Sequence, residues 1–214
     1  MLSTREELDG INLDCLTPTN QKEVNDYLQF LAILSSAFRQ YKHRTLKLSI
    51  TLHPGQHLPP KAYELVDRLL IMTYDMPAPD GHHASLEIVK NTIQGFLDHN
   101  APNSKILLGI PAYARHSVNP GMVKTFSELM DEMKPSSLEE ADVGEWGGYP
   151  FDSPHMIKAK VVLAREMGLS GVFFWELGQD KQHPSLGPGG LLLEAAYREA
   201  TRNQAEDYGI SEEL

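Results

Sequence analysis

Segments with a strand pattern alternate with segments with a helix pattern along this chain of 214 residues. After a first short strand near 9–16, the strand patterns fall near 45–53, 68–76, 105–115 and 171–177. Helical spacing of apolar residues falls near 24–41, 60–66, 85–99, 125–133, 155–167 and 190–203. Such alternation is typical of an α/β fold in which helices cover a parallel sheet. The sequence therefore predicts five parallel strands in a single domain spanning 1–214.

Two architectures of parallel sheet satisfy this alternation. One is an open, doubly wound sheet, and the other is a closed barrel. Neither a Gly-x-Gly-x-x-Gly turn nor a phosphate-binding loop is present to indicate the first. No internal repeat indicates the second, so the pattern alone leaves both open.

Charge and composition narrow the class of partner. The formal net charge is −10, with 29 acidic and 19 basic residues, which works against nonspecific binding of nucleic acid or of an anionic membrane. No run of about 18 apolar residues is present, and residues 1–8 lack an apolar signal core. Cys15 is the only cysteine, which excludes an internal disulfide and a multi-cysteine metal site. We expect a soluble domain with a neutral or cationic partner and no membrane or metal, and the compartment stays open.

The first strand pattern carries polar groups at regular spacing. Side chains alternate between the two faces of a strand, so Asn12, Asp14 and Leu16 are predicted to share one face. Asp9 precedes them. This face is polar at two positions and apolar at the third.

Three further motifs follow, each near the end of a later strand pattern. They are Met72-Thr73-Tyr74-Asp75, Gly109-Ile110-Pro111-Ala112-Tyr113-Ala114-Arg115, and the segment 171–180 with Trp175. By strand parity, Gly109, Pro111 and Tyr113 are predicted to share one face, with the aromatic ring at the rim.

The four motifs, in this order, resemble those of glycoside hydrolase family 18, the chitinases. The resemblance implies a (β/α)8 TIM barrel, of which this chain looks like strands 4 to 8 with their helices. A complete barrel of this type has about 250 residues and eight strands. The first three β/α units are therefore expected to be missing, so that either the sequence is truncated at its N-terminus or a partner covers the open edges of the barrel.

The resemblance also implies a chemistry, in which the 2-acetamido group of the sugar is the nucleophile. In the family motif Asp-x-x-Asp-x-Asp-x-Glu, Asp9 and Asp14 match, Asn12 replaces an aspartate, and Leu16 replaces the glutamate that protonates the leaving group. Asp14 would orient the acetamido group.

The other motifs imply the remaining contacts with the sugar. Tyr74 and Asp75 would grip the sugar, Trp175 would form the floor under it, and Tyr113, Arg115 and Met72 would complete the cleft. The implied ligand is chitin or an N-acetylglucosamine oligosaccharide, and no cofactor is implied.

Three functional hypotheses follow. The first is a chitinase-like binder or degenerate hydrolase that lacks the proton donor. The second is a structural remnant without a ligand, and the third is an active chitinase if Leu16 is a sequence error. The pair His82-His83, which follows Asp80-Gly81, is predicted to be a solvated turn rather than a metal site.

Overall fold

The computed structural model describes residues 8–14, 18–76, 78, 81–137, 139–182 and 190–207. In this part of the chain the strands are β1 (Gly10–Leu13), β2 (Lys47–Leu52), β3 (Arg68–Ile71), β4 (Ile106–Pro111), β5 (Tyr113–Arg115), β6 (Val123–Thr125), β7 (Glu145–Trp146), β8 (Tyr149–Pro150) and β9 (Gly171–Trp175). The α-helices are α1 (Gln21–Gln40), α2 (Pro60–Leu65), α3 (Leu86–Asp98), α4 (Phe126–Met133), α5 (Pro154–Glu166) and α6 (Leu191–Asp207). None of the helices described is long and apolar enough to cross a membrane.

Five of these strands form one parallel sheet in the order β1-β2-β3-β4-β9. This confirms the predicted α/β fold with a parallel sheet and helices, as in part of a TIM barrel. The barrel is not closed, because β1 and β9 are both edges of the sheet. The remaining strands form two antiparallel pairs, β5 with β6 and β7 with β8.

The main core lies between the helices and one face of the sheet. Alternate strand side chains on this face are almost completely buried: Leu48, Ile50 and Leu52 on β2, Leu69 and Ile71 on β3, and Ile106, Leu108 and Ile110 on β4. The other face corresponds to the inside of a barrel. It carries Leu70, Leu107 and Phe173, which are only half-buried, since no further strand among the described residues closes over them.

Local signals in the sequence account for where several helices begin. The side chain of Asn20 accepts a hydrogen bond from the Glu23 amide at the start of α1. Thr125 and Glu128 form a reciprocal capping box at α4. At α5, Ser153 is the cap and Pro154 follows at the first helical position, where its missing amide hydrogen costs nothing.

The predicted strand over 105–115 is wrong in one respect, because two strands occupy this segment. The chain turns at Ala112, whose amide donates to the Trp175 carbonyl at 2.8 Å and whose carbonyl accepts from the Phe126 amide at 2.9 Å. Tyr113 therefore lies on β5, which pairs with β6 outside the parallel sheet. The predicted strand over 68–76 is also too long, since β3 ends at Ile71.

Candidate functional site

The predicted site residues gather at the carboxyl ends of the parallel strands. Asp14 follows β1, Tyr74 and Asp75 follow β3, and Trp175 ends β9. In parallel β/α folds this edge carries the catalytic and binding loops. Asp9 lies at the opposite end of β1, where its carbonyl accepts from the Lys47 amide at 2.8 Å, so it is not part of this group.

Asp75 is the centre of the best-defined contacts. Its carboxylate accepts hydrogen bonds from Arg115 Nε at 2.5 Å, from Arg115 Nη2 at 2.7 Å and from the Tyr113 hydroxyl at 2.7 Å. Burial alone would raise the pKa of Asp75, but the hydrogen bonds from Arg115 and Tyr113 outweigh it and hold that pKa below its ordinary value. The carboxylate therefore stays ionised and fixed in orientation.

Two buried tyrosines stand beside this carboxylate. Burial, together with the charges of Asp14 and Asp75, raises the pKa of the Tyr74 hydroxyl. Burial and the hydrogen bond to Asp75 raise the pKa of Tyr113 in the same direction. Both hydroxyls thus keep their protons at neutral pH, as a hydrogen-bond donor to a carbonyl oxygen must. The charge of Asp14 thus acts on the Tyr74 hydroxyl.

Packing on the inner face of the sheet holds Tyr74 in place. Its ring makes edge contacts with Tyr113 at 6.2 Å and with Phe173 at 6.4 Å between centroids. Met72 also packs against this small cluster. The cluster depends on Gly109, because a Cβ atom there would lie 2.9 Å from both the Tyr74 and the Phe173 ring.

Trp175 presents an accessible ring next to this cluster. It pairs in register with Pro111, and Phe173 pairs with Gly109, so both aromatic side chains lie on the inner face. The Trp175 side chain is 48% exposed, unlike the buried tyrosines. An exposed indole can stack on the apolar face of a sugar.

Asn12 is engaged within the sheet. Its Nδ2 donates to Thr51 Oγ1 at 2.9 Å, and its Oδ1 accepts from Ser49 Oγ at 2.9 Å. Both partners lie on β2 and alternate there with the buried Leu48, Ile50 and Leu52, so Asn12 lies on the inner face of the sheet. Leu16, the residue at the position of the acid, lies outside the described residues.

The structure adds one residue that the sequence did not indicate. His83 is only 5% exposed and contacts both Asp75 and Tyr113, so the prediction of a solvated turn at His82-His83 is wrong. The loop folds back onto β5, and no local pattern marks that contact. No group of three or more potential metal ligands occurs in the part of the chain that the structure describes.

Comparisons with known proteins agree with the motifs. The family profile described as "Glycosyl hydrolases family 18" matches residues 2–180. The chain is 22% identical to Chitinase 1 of Aphanocladium album over 222 residues, which are 81% of this chain and 52% of that protein. It is 23% identical to Probable chitinase 10 of Drosophila melanogaster, covering 80% of this chain and 10% of that protein. The chain thus spans about half or less of the length of these relatives.

Solved structures show the same fold. The GH18 chitinase ChiB of Flavobacterium johnsoniae matches with a TM-score of 0.73 and 26% identity, covering 92% of this chain and 61% of that one. The chitinase-like agglutinin of Robinia pseudoacacia matches with a TM-score of 0.73 and 20% identity, covering 93% and 70%. A class V chitinase mutant of Cycas revoluta in complex with (GlcNAc)3 matches with a TM-score of 0.73 and 21% identity, covering 88% and 67%.

Proposed function

Because this chain belongs to glycosyl hydrolase family 18, we propose that it binds N-acetylglucosamine oligosaccharides of the chitin type at the carboxyl ends of its parallel strands. The observation that carries the proposal is the group formed by Asp75, Arg115 and Tyr113, with Tyr74 and Asp14 beside it. An acetamido group offers one N–H donor and one carbonyl acceptor. The site offers carboxylate oxygens as acceptors for the N–H and tyrosine hydroxyls as donors to the carbonyl.

Each residue has a distinct role in this proposal. The Tyr74 hydroxyl donates to the acetamido carbonyl, and the Asp14 carboxylate accepts the acetamido N–H. Asp75, held by Arg115 and Tyr113, contacts the sugar from the other side. Trp175 stacks on the C–H face of the ring, so that the sugar hydroxyls stay free for polar contacts.

We propose that hydrolysis is impaired. In this family the acetamido oxygen attacks the anomeric carbon while a glutamate protonates the leaving oxygen. Leu16 occupies that position in the sequence, and an isobutyl group has no proton to give. Loss of a positioned general acid costs about 10²-fold to 10⁴-fold in rate. Asp75 is a poor substitute, because a carboxyl with a lowered pKa is ionised at neutral pH.

We also propose that further structure covers the open edges of the parallel sheet, and the inner face of the sheet supports this. Phe173 is half-buried on β9, and both β1 and β9 have an unpaired side. Three more β/α units, on the same polypeptide or on another, would close the barrel and cover these groups. If nothing covers them, the chain is a structural remnant whose cleft stays half-formed.

Calorimetry with two trisaccharides tests the proposed ligand. Chitotriose carries the acetamido groups, whereas cellotriose has the same linkage and hydroxyls in their place. We expect saturable binding of chitotriose and at least tenfold weaker binding of cellotriose. Equal affinity for both sugars would contradict recognition of the acetamido group, and absence of binding to either would favour the remnant.

A further inference from the structure

His83 lies next to Asp75, whose carboxylate is the centre of the site. It belongs to the loop between β3 and α3, and its side chain is 5% exposed. The loop is fixed at this point, since the His83 carbonyl accepts from the Met76 amide at 2.9 Å. The imidazole ring packs against the Tyr113 ring with 5.2 Å between centroids. A titratable side chain is thus enclosed next to Asp75.

The contacts of the two ring nitrogens define the protonation state. Nδ1 is 3.2 Å from the backbone nitrogen of Asp75, and Nε2 is 3.3 Å from the Tyr113 carbonyl oxygen. A peptide N–H can only donate and a carbonyl oxygen can only accept. The arrangement therefore requires a neutral imidazole with its proton on Nε2 and a lone pair on Nδ1.

The Asp75 backbone needs such a partner. Its φ angle is 60°, in the left-handed region that residues with a side chain seldom adopt. The hydrogen bond from the Asp75 amide to Nδ1 helps to hold this conformation. It thereby directs the carboxylate towards Arg115 and Tyr113.

A second acceptor stands close to the same nitrogen. Asp75 Oδ1 is 3.3 Å from Nδ1, and this oxygen already accepts from Arg115 Nε and the Tyr113 hydroxyl. His82 also lies near the His83 ring, at 6.2 Å between centroids, and its Nε2 is 3.8 Å from Asp152 Oδ1. A proton on Nδ1 would displace the Asp75 amide and donate to Oδ1 instead, in competition with Arg115.

We propose that His83 is the positioning residue of Asp75. We also propose that protonation of His83 misaligns the Asp75 carboxylate and so lowers the affinity of the site for the oligosaccharide. While neutral, His83 accepts the Asp75 amide and leaves the carboxylate aligned. When protonated, it releases that amide and draws Oδ1 towards itself. Sugar affinity should therefore be lower in the protein with a protonated His83 than in the protein with a neutral one. The effect on sugar rests on the proposed function, whereas the effect on Asp75 does not.

Nuclear magnetic resonance of the ligand-free protein tests the proposed effect of His83 on Asp75. We expect the ring nitrogens of His83 to show the Nε2–H tautomer at pH 8, and the Asp75 amide signal to shift as His83 is protonated. In His83→Asn, an amide oxygen near the position of Nδ1 can accept the same hydrogen bond but cannot titrate, so this shift should vanish. His116→Asn is the matched control, because His116 Nδ1 also accepts backbone amides, from Val118 and Asn119.

Calorimetry with chitotriose from pH 8 to pH 5 tests the proposed effect of His83 on sugar affinity. Loss of one hydrogen bond corresponds to a threefold to tenfold fall in affinity, as an order of magnitude. We expect this fall in the wild type and in His116→Asn, and a flat profile in His83→Asn.

A proton on His83 Nδ1 at pH 8, or an Asp75 amide that is insensitive to His83, would overturn the inference. A pH profile that is unchanged in His83→Asn would also overturn it. If no sugar binds at any pH, the proposed function fails, and the resonance measurements still decide the role of His83.

Discussion

Arg115 forms a bidentate pair of hydrogen bonds with Asp75, with Nε 2.5 Å from Oδ1 and Nη2 2.7 Å from Oδ2. The pair joins the loop that follows β3, a strand of the parallel sheet, to β5, a strand of a separate antiparallel pair. Paired contacts of this kind fix the orientation of a carboxylate as well as its charge. The site thus has a rigid anion that Arg115 and the Tyr113 hydroxyl hold together.

Replacing Arg115 by lysine should loosen this anion. A lysine ammonium cannot reproduce the planar two-point contact. We expect chitotriose affinity to fall about tenfold, the equivalent of one charge-assisted hydrogen bond. The pKa of Asp75 should rise from its lowered value towards the ordinary one, measured on the carboxyl carbon by nuclear magnetic resonance.

The control is Arg198→Lys, the same substitution on α6, where Arg198 pairs with Glu194 outside the cleft. That variant should keep the wild-type affinity. An Arg115→Lys protein with unchanged affinity and an unchanged Asp75 pKa would show that the two-point contact has no role in binding.

The sequence predicted the elements of the sheet better than the contacts of the cleft. Apolar periodicity indicated five parallel strands, since alternate residues such as Ile50 and Leu52 face the helices. The turn at Ala112 was missed because its backbone partners, Trp175 and Phe126, are distant in sequence. Burial of His83 was missed for the same reason, because it depends on the approach of β5.

Leu16→Glu should restore a proton donor. In the family motif the glutamate follows Asp14 by two residues, and a carboxyl beside the Asp14 carboxylate would have its pKa raised towards that of a general acid. We expect measurable hydrolysis of a chromogenic chitobioside when the missing β/α units are supplied on an extended chain. In the 214-residue chain we expect little, because a working site needs its geometry fixed to about 0.5 Å.

Leu16→Gln is the matched control, since it has nearly the same shape as glutamate but lacks the acidic proton that a general acid transfers. An extended, folded Leu16→Glu protein that binds chitotriose and hydrolyses nothing would show that more than the acid was lost. Asn12 is then the first candidate, because its amide is bound to Thr51 and Ser49 rather than to Asp14.

A buried ion pair joins α5 to the segment that precedes it. Lys160 on α5 donates to Asp152, and both side chains are completely buried. Burial lowers the pKa of Lys160, so the lysine depends on its partner to remain charged. Asp152→Ala should lower the free energy of unfolding by about 3–5 kcal/mol in urea titrations, because it leaves a buried charge without a partner.

The double variant Asp152→Ala with Lys160→Met should recover part of that loss, since both charges are then gone. Asp26→Ala removes the exposed pair with Lys22 and should leave the urea midpoint unchanged. An Asp152→Ala protein as stable as the wild type would contradict the importance of the buried pair.

His57 should make stability depend on pH. Burial, and then the charge of His99 stacked on it at 3.8 Å, lowers the pKa of His57. The unfolded chain therefore binds this proton more readily than the folded chain, and stability is lost as the pH falls through about 6.5, the ordinary histidine pKa. We expect the urea midpoint to fall between pH 7.5 and pH 5, and less so in His57→Gln. The exposed His155 gives the control, and an equal fall in His57→Gln and His155→Gln would exclude His57 as the cause.

Trp175 gives the most direct test that the oligosaccharide occupies this cleft. Chitotriose is titrated into the wild type, into Trp175→Ala, and into Tyr197→Ala, which removes an aromatic ring exposed on α6. Stacking of a flat ligand on an aromatic side chain is worth about 1–3 kcal/mol for nucleic-acid bases, and the same scale predicts about fivefold to 100-fold weaker binding for Trp175→Ala. Tyr197→Ala should bind as the wild type does. Equal affinity for all three proteins would contradict the assignment of the site.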